Sequence, residues 1–240
     1  MLPNFAEMSG LHLPRQAEQP PLVVLLHGLA RTERSMAGLA RYLEVHGLQT
    51  WRCTWPSRTQ SIAQAAAAVQ ARLQEEFPGR ALQIVTHSLG AAVALHLAQM
   101  QPIQRAVLLA PPLRGSRVAR SFINWKLFKW FYGPAGREVA VAGPDWPGLE
   151  QLGEVAIIAG NRALALNNPI SWATRSLGVL PAELASDGTV ALDETRPPTP
   201  HHFAEVGATH TWIMNDAQVQ QMVLLFLRTG RLTALGPVRE

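Results

Sequence analysis

Short apolar segments alternate with longer amphipathic segments along most of the chain, and this alternation is the strongest constraint on the fold. The first apolar segment, Leu22–Leu26, is five aliphatic residues long, as expected of a strand buried on both faces. The predicted strands are 22–26, 48–53, 81–86, 105–110, 154–159 and 202–206, and the predicted helices are 35–45, 61–77, 89–101 and 216–228. Repeated strand–helix–strand units predict an α/β fold, with a mostly parallel central sheet and helices on both faces.

Composition narrows the class of protein further. With 240 residues, of which 48% are hydrophobic and 16% charged, we expect a single globular domain over residues 1–240. The single cysteine, Cys53, excludes a disulfide framework, and a net charge of +4 without a basic run gives no indication of nucleic-acid binding. Because the N-terminal residues lack a signal-peptide pattern and no apolar run is long enough for a spanning helix, we expect a cytoplasmic protein.

The segment Ile84-Val-Thr-His-Ser88-Leu-Gly90 leads from a predicted strand directly into a predicted helix, with a serine at the junction. A serine on such a turn is exposed above the sheet, and the N-terminus of the following helix offers N–H groups to a developing oxyanion. Ser88 is therefore a candidate nucleophile, the alternative being an ordinary helix that begins at a serine. A second motif, His27-Gly28-Leu29-Ala30, directly follows the first strand.

With these motifs the sequence resembles the α/β-hydrolase superfamily, and within it small bacterial lipase-like and carboxylesterase-like serine hydrolases. The resemblance implies an α/β-hydrolase fold with a small helical cap and a Ser-His-Asp triad that needs no cofactor or metal. The usual Gly-x-Ser-x-Gly elbow is here Thr86-His87-Ser88-Leu89-Gly90, which lacks the first glycine. The resemblance also implies an oxyanion hole formed by the backbone N–H groups of Leu29 and Leu89.

The implied triad also needs a histidine as base and an aspartate as acid, to be chosen among eight histidines and four aspartates. The resemblance places the histidine between the last strand and the last helix, which is where His210 lies; His201 and His202 are the alternatives. Asp187 begins an Asp-Gly-x-Val sequence like the acid segment of lipases, and it preserves the order Ser, Asp, His. Asp193 is the alternative acid.

Residues 112–153 fall outside the strand–helix alternation and are predicted to form a cap or lid inserted into the domain. Within them, residues 121–132 hold six of the sixteen aromatic residues of the chain. Trp125, Phe128 and Trp130 are therefore candidate substrate-binding residues that line an apolar pocket. Two alternatives remain open: a helix simply packed on the sheet, and, given the two lysines of this segment, a helix that lies on a lipid surface.

The sequence thus predicts a serine hydrolase that cleaves carboxylic esters with apolar acyl groups through an acyl-enzyme. A thioesterase or acyltransferase of the same fold is one alternative, and a non-catalytic protein that binds an apolar ligand is another. The expected partner is a small-molecule acyl ester. Contact with a membrane surface and the oligomeric state are left open.

Overall fold

Six parallel strands form the centre of the computed structural model. The structure describes residues 19–141, 149–163, 174, 176–181 and 183–232; for residues 126–132, 141 and 149 it describes the backbone alone. The strands are β1 (Leu22–Leu26), β2 (Thr50–Arg52), β3 (Leu82–His87), β4 (Ile103–Leu109), β5 (Leu152–Gly160) and β6 (His202–Val206). Their order in the sheet is β2-β1-β3-β4-β5-β6, and every neighbouring pair is parallel. The predicted α/β architecture is confirmed.

Helices connect most of the strands. They are α1 (Ala37–Val45), α2 (Ile62–Glu76), α3 (Gly90–Ala98), α4 (Arg117–Phe122), α5 (Lys126–Val141) and α6 (Ala217–Thr229). Their starts follow from ordinary capping: Ser61 and Gln64 form a reciprocal capping box at α2, and the Asp216 carboxylate accepts from the N–H of Val219 at α6. In the part of the chain that the structure describes, no helix combines the length and apolar character needed to cross a bilayer.

The two faces of the sheet carry separate hydrophobic cores, because successive strand side chains point to opposite faces. On β1, Leu22, Val24 and Leu26 belong to the core shared with α2 and α3, whereas Val23 and Leu25 belong to the core shared with α1 and α6. All five of these side chains are fully buried. Helices on both faces therefore explain why this strand has no polar position, as the sequence indicated.

The carboxyl ends of the parallel strands meet at one edge of the sheet, where ligands bind in open α/β folds. The turns after β1 and β3 and the segments after β5 and β6 all reach this edge. Helices α4 and α5, both within residues 112–153, lie beside it and contribute side chains to the cavity described below. The site is thus assembled from segments that are far apart in the sequence.

Candidate active site

Ser88 lies on a sharp turn between β3 and α3. Its φ of +50° is in the left-handed region, which residues other than glycine rarely adopt. The N–H of Ser88 donates to the carbonyl oxygen of Leu109 at 2.9 Å, which ties the turn to the end of β4. A Cβ on Gly90 would lie 2.7 Å from the carbonyl oxygen of Leu26, so only glycine lets α3 begin this close to β1.

Thr86 occupies the position of the usual first glycine of the elbow. It is fully buried within β3 and pairs in register with Leu26 and Leu108 on the two neighbouring strands. Its hydroxyl has no hydrogen-bond partner in the described part of the chain. The strand therefore accommodates the larger side chain while Ser88 still adopts the strained turn conformation.

Asp187 is almost completely buried, and its carboxylate is held by three donors. Oδ1 accepts from the backbone N–H groups of Thr189 at 3.0 Å and Val190 at 2.7 Å, and Oδ2 accepts from Nδ1 of His210 at 2.7 Å. The N–H of His210 also donates to the carbonyl oxygen of Asp187 at 3.1 Å. Side-chain and backbone contacts thus fix the aspartate and the histidine relative to each other.

His210 lies between the aspartate and the serine. With a proton on Nδ1 bonded to Asp187, its Nε2 accepts from the Oγ–H of Ser88 at 3.0 Å. The alternative histidines lie elsewhere: His201 contacts the carbonyl oxygen of Thr199, and His202 is exposed and lies against a helix α6 ring. The structure therefore brings together the three residues that the sequence pointed to, in a chain of two hydrogen bonds.

Gly160, the last residue of β5, makes room for the aspartate and histidine segments. A Cβ at this position would lie 2.5 Å from the carbonyl oxygen of Ala208 and 2.9 Å from Cβ of Asp187. Asp187 comes 27 residues after Gly160 in the sequence. Asp187 therefore lies beside the end of β5 despite this separation, which the sequence alone could not show.

His87, next to the candidate nucleophile, is fully buried and packs against His210. Its Nε2–H donates to the backbone carbonyl oxygen of His210 at 2.9 Å, and the two rings lie 4.9 Å apart. Burial holds the pKa of His87 well below its ordinary value, and the nearby His210 and Arg31 lower it further. The imidazole is therefore neutral at physiological pH and connects β3 to the His210 segment.

His27 connects the loop after β1 to the segment after β2. Its Nδ1–H donates to the carbonyl oxygen of Gly28 at 2.8 Å, and its Nε2 accepts from the backbone N–H of Trp55 at 3.1 Å. The rings of His27 and Trp55 stack with centroids 5.1 Å apart, and burial lowers the pKa of His27. Ala30, with a φ of +54°, donates from its N–H to Oγ of Ser57.

Two backbone N–H groups beside the cavity over Ser88 have no acceptor among the described residues. Leu29 follows the loop glycine, Leu89 follows Ser88, and neither N–H has a hydrogen-bond partner among the described residues. Both residues line the same cavity as Ser88 and His210. Because backbone N–H groups near a cavity normally find partners, these two are available to an oxygen atom of a bound ligand.

The cavity over Ser88 has a volume of about 150 Å³. Its apolar wall comes from the leucines after Gly28 and after Ser88, from the 112–153 segment and from the loop after the aspartate: Leu29, Leu89, Pro112, Val118, Ala119, Val139 and Val190. Trp125 is 55% exposed, packs edge-on against Phe122 and is not among the described lining residues. The side chains of Phe128 and Trp130 lie outside the described residues, so their predicted contact with substrate stays a prediction.

Glu194, which the sequence did not single out, anchors α4 to the segment that carries the candidate acid. Its carboxylate is buried and accepts from the backbone N–H groups of Arg117 at 2.6 Å and Ala191 at 2.9 Å. Burial raises the pKa of Glu194, while these two N–H groups and the Arg117 charge lower it. Asp193, the alternative acid, is instead exposed and forms a bidentate ion pair with Arg117 at 2.7 Å.

We expect Glu194→Gln to lower the free energy of unfolding by about 1–3 kcal/mol, because one of the two buried N–H groups would lose its acceptor. Urea denaturation at pH 8 measures this change. Glu75→Gln, at an exposed position of α2, is the matched control and should change it by no more than about 0.5 kcal/mol. Equal effects of the two substitutions would contradict an anchoring role for Glu194.

A six-stranded parallel sheet, helices on both faces and a serine on a strained strand-to-helix turn at the carboxyl edge together define an α/β hydrolase. The chain belongs to the alpha/beta hydrolase family, whose sequence model matches residues 23–233. The predicted relationship and fold are thus both confirmed.

Individual relatives include lipases. The chain is 34% identical over 123 residues to lipase LipV of Mycobacterium tuberculosis, a match that spans 45% of this chain and 45% of that lipase. Lipase BlEst2 of Bacillus licheniformis, in its mature form, has a similar structure, with a TM-score of 0.67 and 18% identity over 88% of this chain and 91% of that one. Phospholipase PlaB of Legionella pneumophila is similar with a TM-score of 0.68 and 14% identity over 88% and 60%.

Proposed function

We propose that this protein is a serine hydrolase that cleaves carboxylic esters. The observation that carries the proposal is the continuous chain of hydrogen bonds from Ser88 Oγ to His210 Nε2, at 3.0 Å, and from His210 Nδ1 to Asp187 Oδ2, at 2.7 Å. A serine becomes a nucleophile when a base can take its proton and a carboxylate orients that base. The similarity to LipV supports the choice of esters.

In the proposed acylation step, Ser88 Oγ attacks the ester carbonyl carbon while His210 Nε2 takes the hydroxyl proton. The buried carboxylate of Asp187 stabilises the imidazolium that forms and keeps the proton on Nδ1. The oxyanion of the tetrahedral intermediate accepts from the N–H groups of Leu29 and Leu89. His210 then donates its proton to the departing alcohol, which leaves an acyl group on Ser88.

Deacylation uses the same groups in reverse. A water molecule attacks the acyl carbonyl while His210 Nε2 takes one of its protons, and the second tetrahedral intermediate is stabilised by the same two N–H groups. Collapse of this intermediate returns the proton to Ser88 and releases the carboxylic acid. No metal or organic cofactor is required for this sequence of steps.

The substrate class follows from the cavity wall. The side chains of Val118, Ala119, Val139 and Val190 surround the space next to Ser88, so the acyl group that fits there is apolar. Most of this wall comes from residues 112–153. We propose that this segment acts as the cap of the domain and sets the accepted acyl length.

Labelling with a fluorescent fluorophosphonate tests the proposal directly. We expect the wild-type protein to be labelled and Ser88→Ala not to be, since the reagent reacts with activated serines. Thr86→Ser, which keeps a hydroxyl of the same kind in β3, is the control and should remain labelled. A well-folded wild-type protein that is not labelled would contradict the proposal and favour the non-catalytic ligand-binding alternative.

Esters and thioesters of rising acyl length then define the reaction. We expect 4-nitrophenyl esters to be hydrolysed, with a preference for apolar acyl groups that fit the cavity. Faster turnover of matched acyl thioesters would instead support the thioesterase alternative. Transfer of the acyl group to an added alcohol in preference to water would support an acyltransferase.

A further inference from the structure

Arg31 is the one permanently charged side chain among the described residues that line the cavity over Ser88. It comes two residues after Leu29 in the loop after β1, and it shares the cavity with Leu29 and His210. The backbone before Arg31 is held in the loop by Ala30, which has a φ of +54° and donates its N–H to Oγ of Ser57. A permanent positive charge is thus part of the wall of a largely apolar cavity.

The guanidinium of Arg31 has no carboxylate within ion-pair distance among the described residues. It lies over the aromatic ring of Trp212, 5.8 Å from the ring centroid. Burial lowers the pKa of Arg31, which reflects the cost of removing a cation from water. An arginine in a partly buried position normally pairs with an anion that satisfies its planar fork of donors. Among the described residues, no carboxylate uses this pairing capacity.

The position of Arg31 relative to the reaction indicates which part of the substrate it meets. Under the proposed function, His210 gives its proton to the departing alcohol, so the alcohol part of the ester lies on the His210 side of the serine. Arg31 lines the same cavity as His210, and its guanidinium lies 5.8 Å from the ring centroid of Trp212, which comes two residues after His210. Trp212 is 48% exposed, and Arg31 is half-buried beside it.

We propose that Arg31 binds an anionic group, a carboxylate or a phosphate, on the alcohol part of the ester substrate. This inference rests on the proposed function and adds to it the charge of the substrate. The planar guanidinium would donate two parallel hydrogen bonds to either oxyanion, while its contact with the Trp212 ring helps to keep it in place. The substrate would therefore combine an apolar acyl group with an anionic alcohol.

Three aryl acetates that differ only at the para position test the proposal: phenyl acetate, 4-acetoxybenzoate and 4-acetoxyphenyl phosphate. For each we would compare kcat/KM of the wild type with that of Arg31→Gln, so that intrinsic ester reactivity cancels. We expect the substitution to lower kcat/KM for an anionic ester about 10- to 100-fold more than for phenyl acetate. The ester with the larger effect identifies the oxyanion as carboxylate or phosphate.

Two further variants make the result specific. Arg34→Gln removes an exposed arginine outside the cavity and should give the same effect on all three esters. Arg31→Lys keeps the charge without the planar fork and should restore part of the discrimination. An equal loss with charged and neutral esters in Arg31→Gln would overturn the inference, since it would indicate that Arg31 only supports the loop.

A binding measurement separates this inference from the proposed function. The alcohol products, 4-hydroxybenzoate and 4-hydroxyphenyl phosphate, would be titrated calorimetrically into Ser88→Ala with and without Arg31→Gln. We expect at least one anion to bind about tenfold more weakly when Arg31 is absent. If no ester is hydrolysed, the proposed function fails while this titration still decides the role of Arg31. If Arg31→Gln weakens the binding of neither anion, the inference is overturned.

Discussion

Asp187→Asn is expected to lower kcat/KM for a 4-nitrophenyl ester by about 10⁴-fold, the largest effect of a substitution that leaves the nucleophile in place. Oδ2 of Asp187 accepts from His210 Nδ1, and an asparagine can turn its NH₂ group toward that nitrogen. The histidine would then carry its proton on Nε2 and could no longer accept from Ser88. Because Oδ1 already accepts from two backbone N–H groups, the amide is forced into this orientation.

Asp193→Asn is the matched control, because it makes the same change six residues away at the alternative acid. Asp193 is exposed and pairs with Arg117, so its loss should change activity less than about threefold and stability by no more than about 1 kcal/mol. Steady-state kinetics at saturating and limiting ester, with unfolding curves for both variants, give the comparison. A larger loss of activity in Asp193→Asn than in Asp187→Asn would reverse the assignment of the acid.

Much of the fold could be predicted from the sequence, because burial on both faces leaves a largely apolar segment at most of the central strands. β1 and β6 have the predicted bounds, and the ends of the other strands differ by a few residues. Helix α3 ends at Ala98 rather than at residue 101, since the last residues before Pro102 form tighter turns. The order of the strands in the sheet has no local signal, because it depends on contacts between distant segments.

The candidate site could be predicted where chain order and local turns determine it. Ser88 lies at a strand-to-helix junction, and the Asp-Gly turn at 187 and the segment before α6 are both recognisable in the sequence. The contacts of Glu194 and His87 could not be predicted, because each is made with a backbone group far away in the sequence. The cation at Arg31 was missed for the same reason: nothing local shows that it lacks a carboxylate partner.

The described contacts also explain why the site tolerates an unusual elbow. Thr86 pairs with β1 on one side and with β4 on the other, so its backbone is held within the sheet. A Cβ at Gly90 would instead collide with the backbone at the end of β1. A side chain is accommodated at the first position and excluded at the second. The spacing between the loop after β1 and the start of α3 therefore depends on Gly90 more than on residue 86.

Gly90→Ala is expected to lower kcat/KM by about 10²-fold, because it separates the two N–H groups proposed to bind the oxyanion. The new Cβ would lie 2.7 Å from the carbonyl oxygen of Leu26 and 2.9 Å from that of His27, and both are backbone atoms that cannot rotate away. The start of α3, with Leu89, must then move away from the loop that carries Leu29. A displacement of about 1 Å in a catalytic group can cost two orders of magnitude in rate.

The same substitution should lower the free energy of unfolding by about 1–3 kcal/mol, the usual cost of forcing extra atoms into a packed region. Gly207→Ala is the control, since a Cβ there meets no atom within 4 Å, and it should leave activity and stability nearly unchanged. Kinetics at a temperature well below both unfolding midpoints separate the loss of rate from the loss of folded protein. If Gly90→Ala were destabilised but kept its full rate per folded molecule, the result would contradict the prediction that the close approach of Leu89 to the loop carrying Leu29 is needed for the reaction.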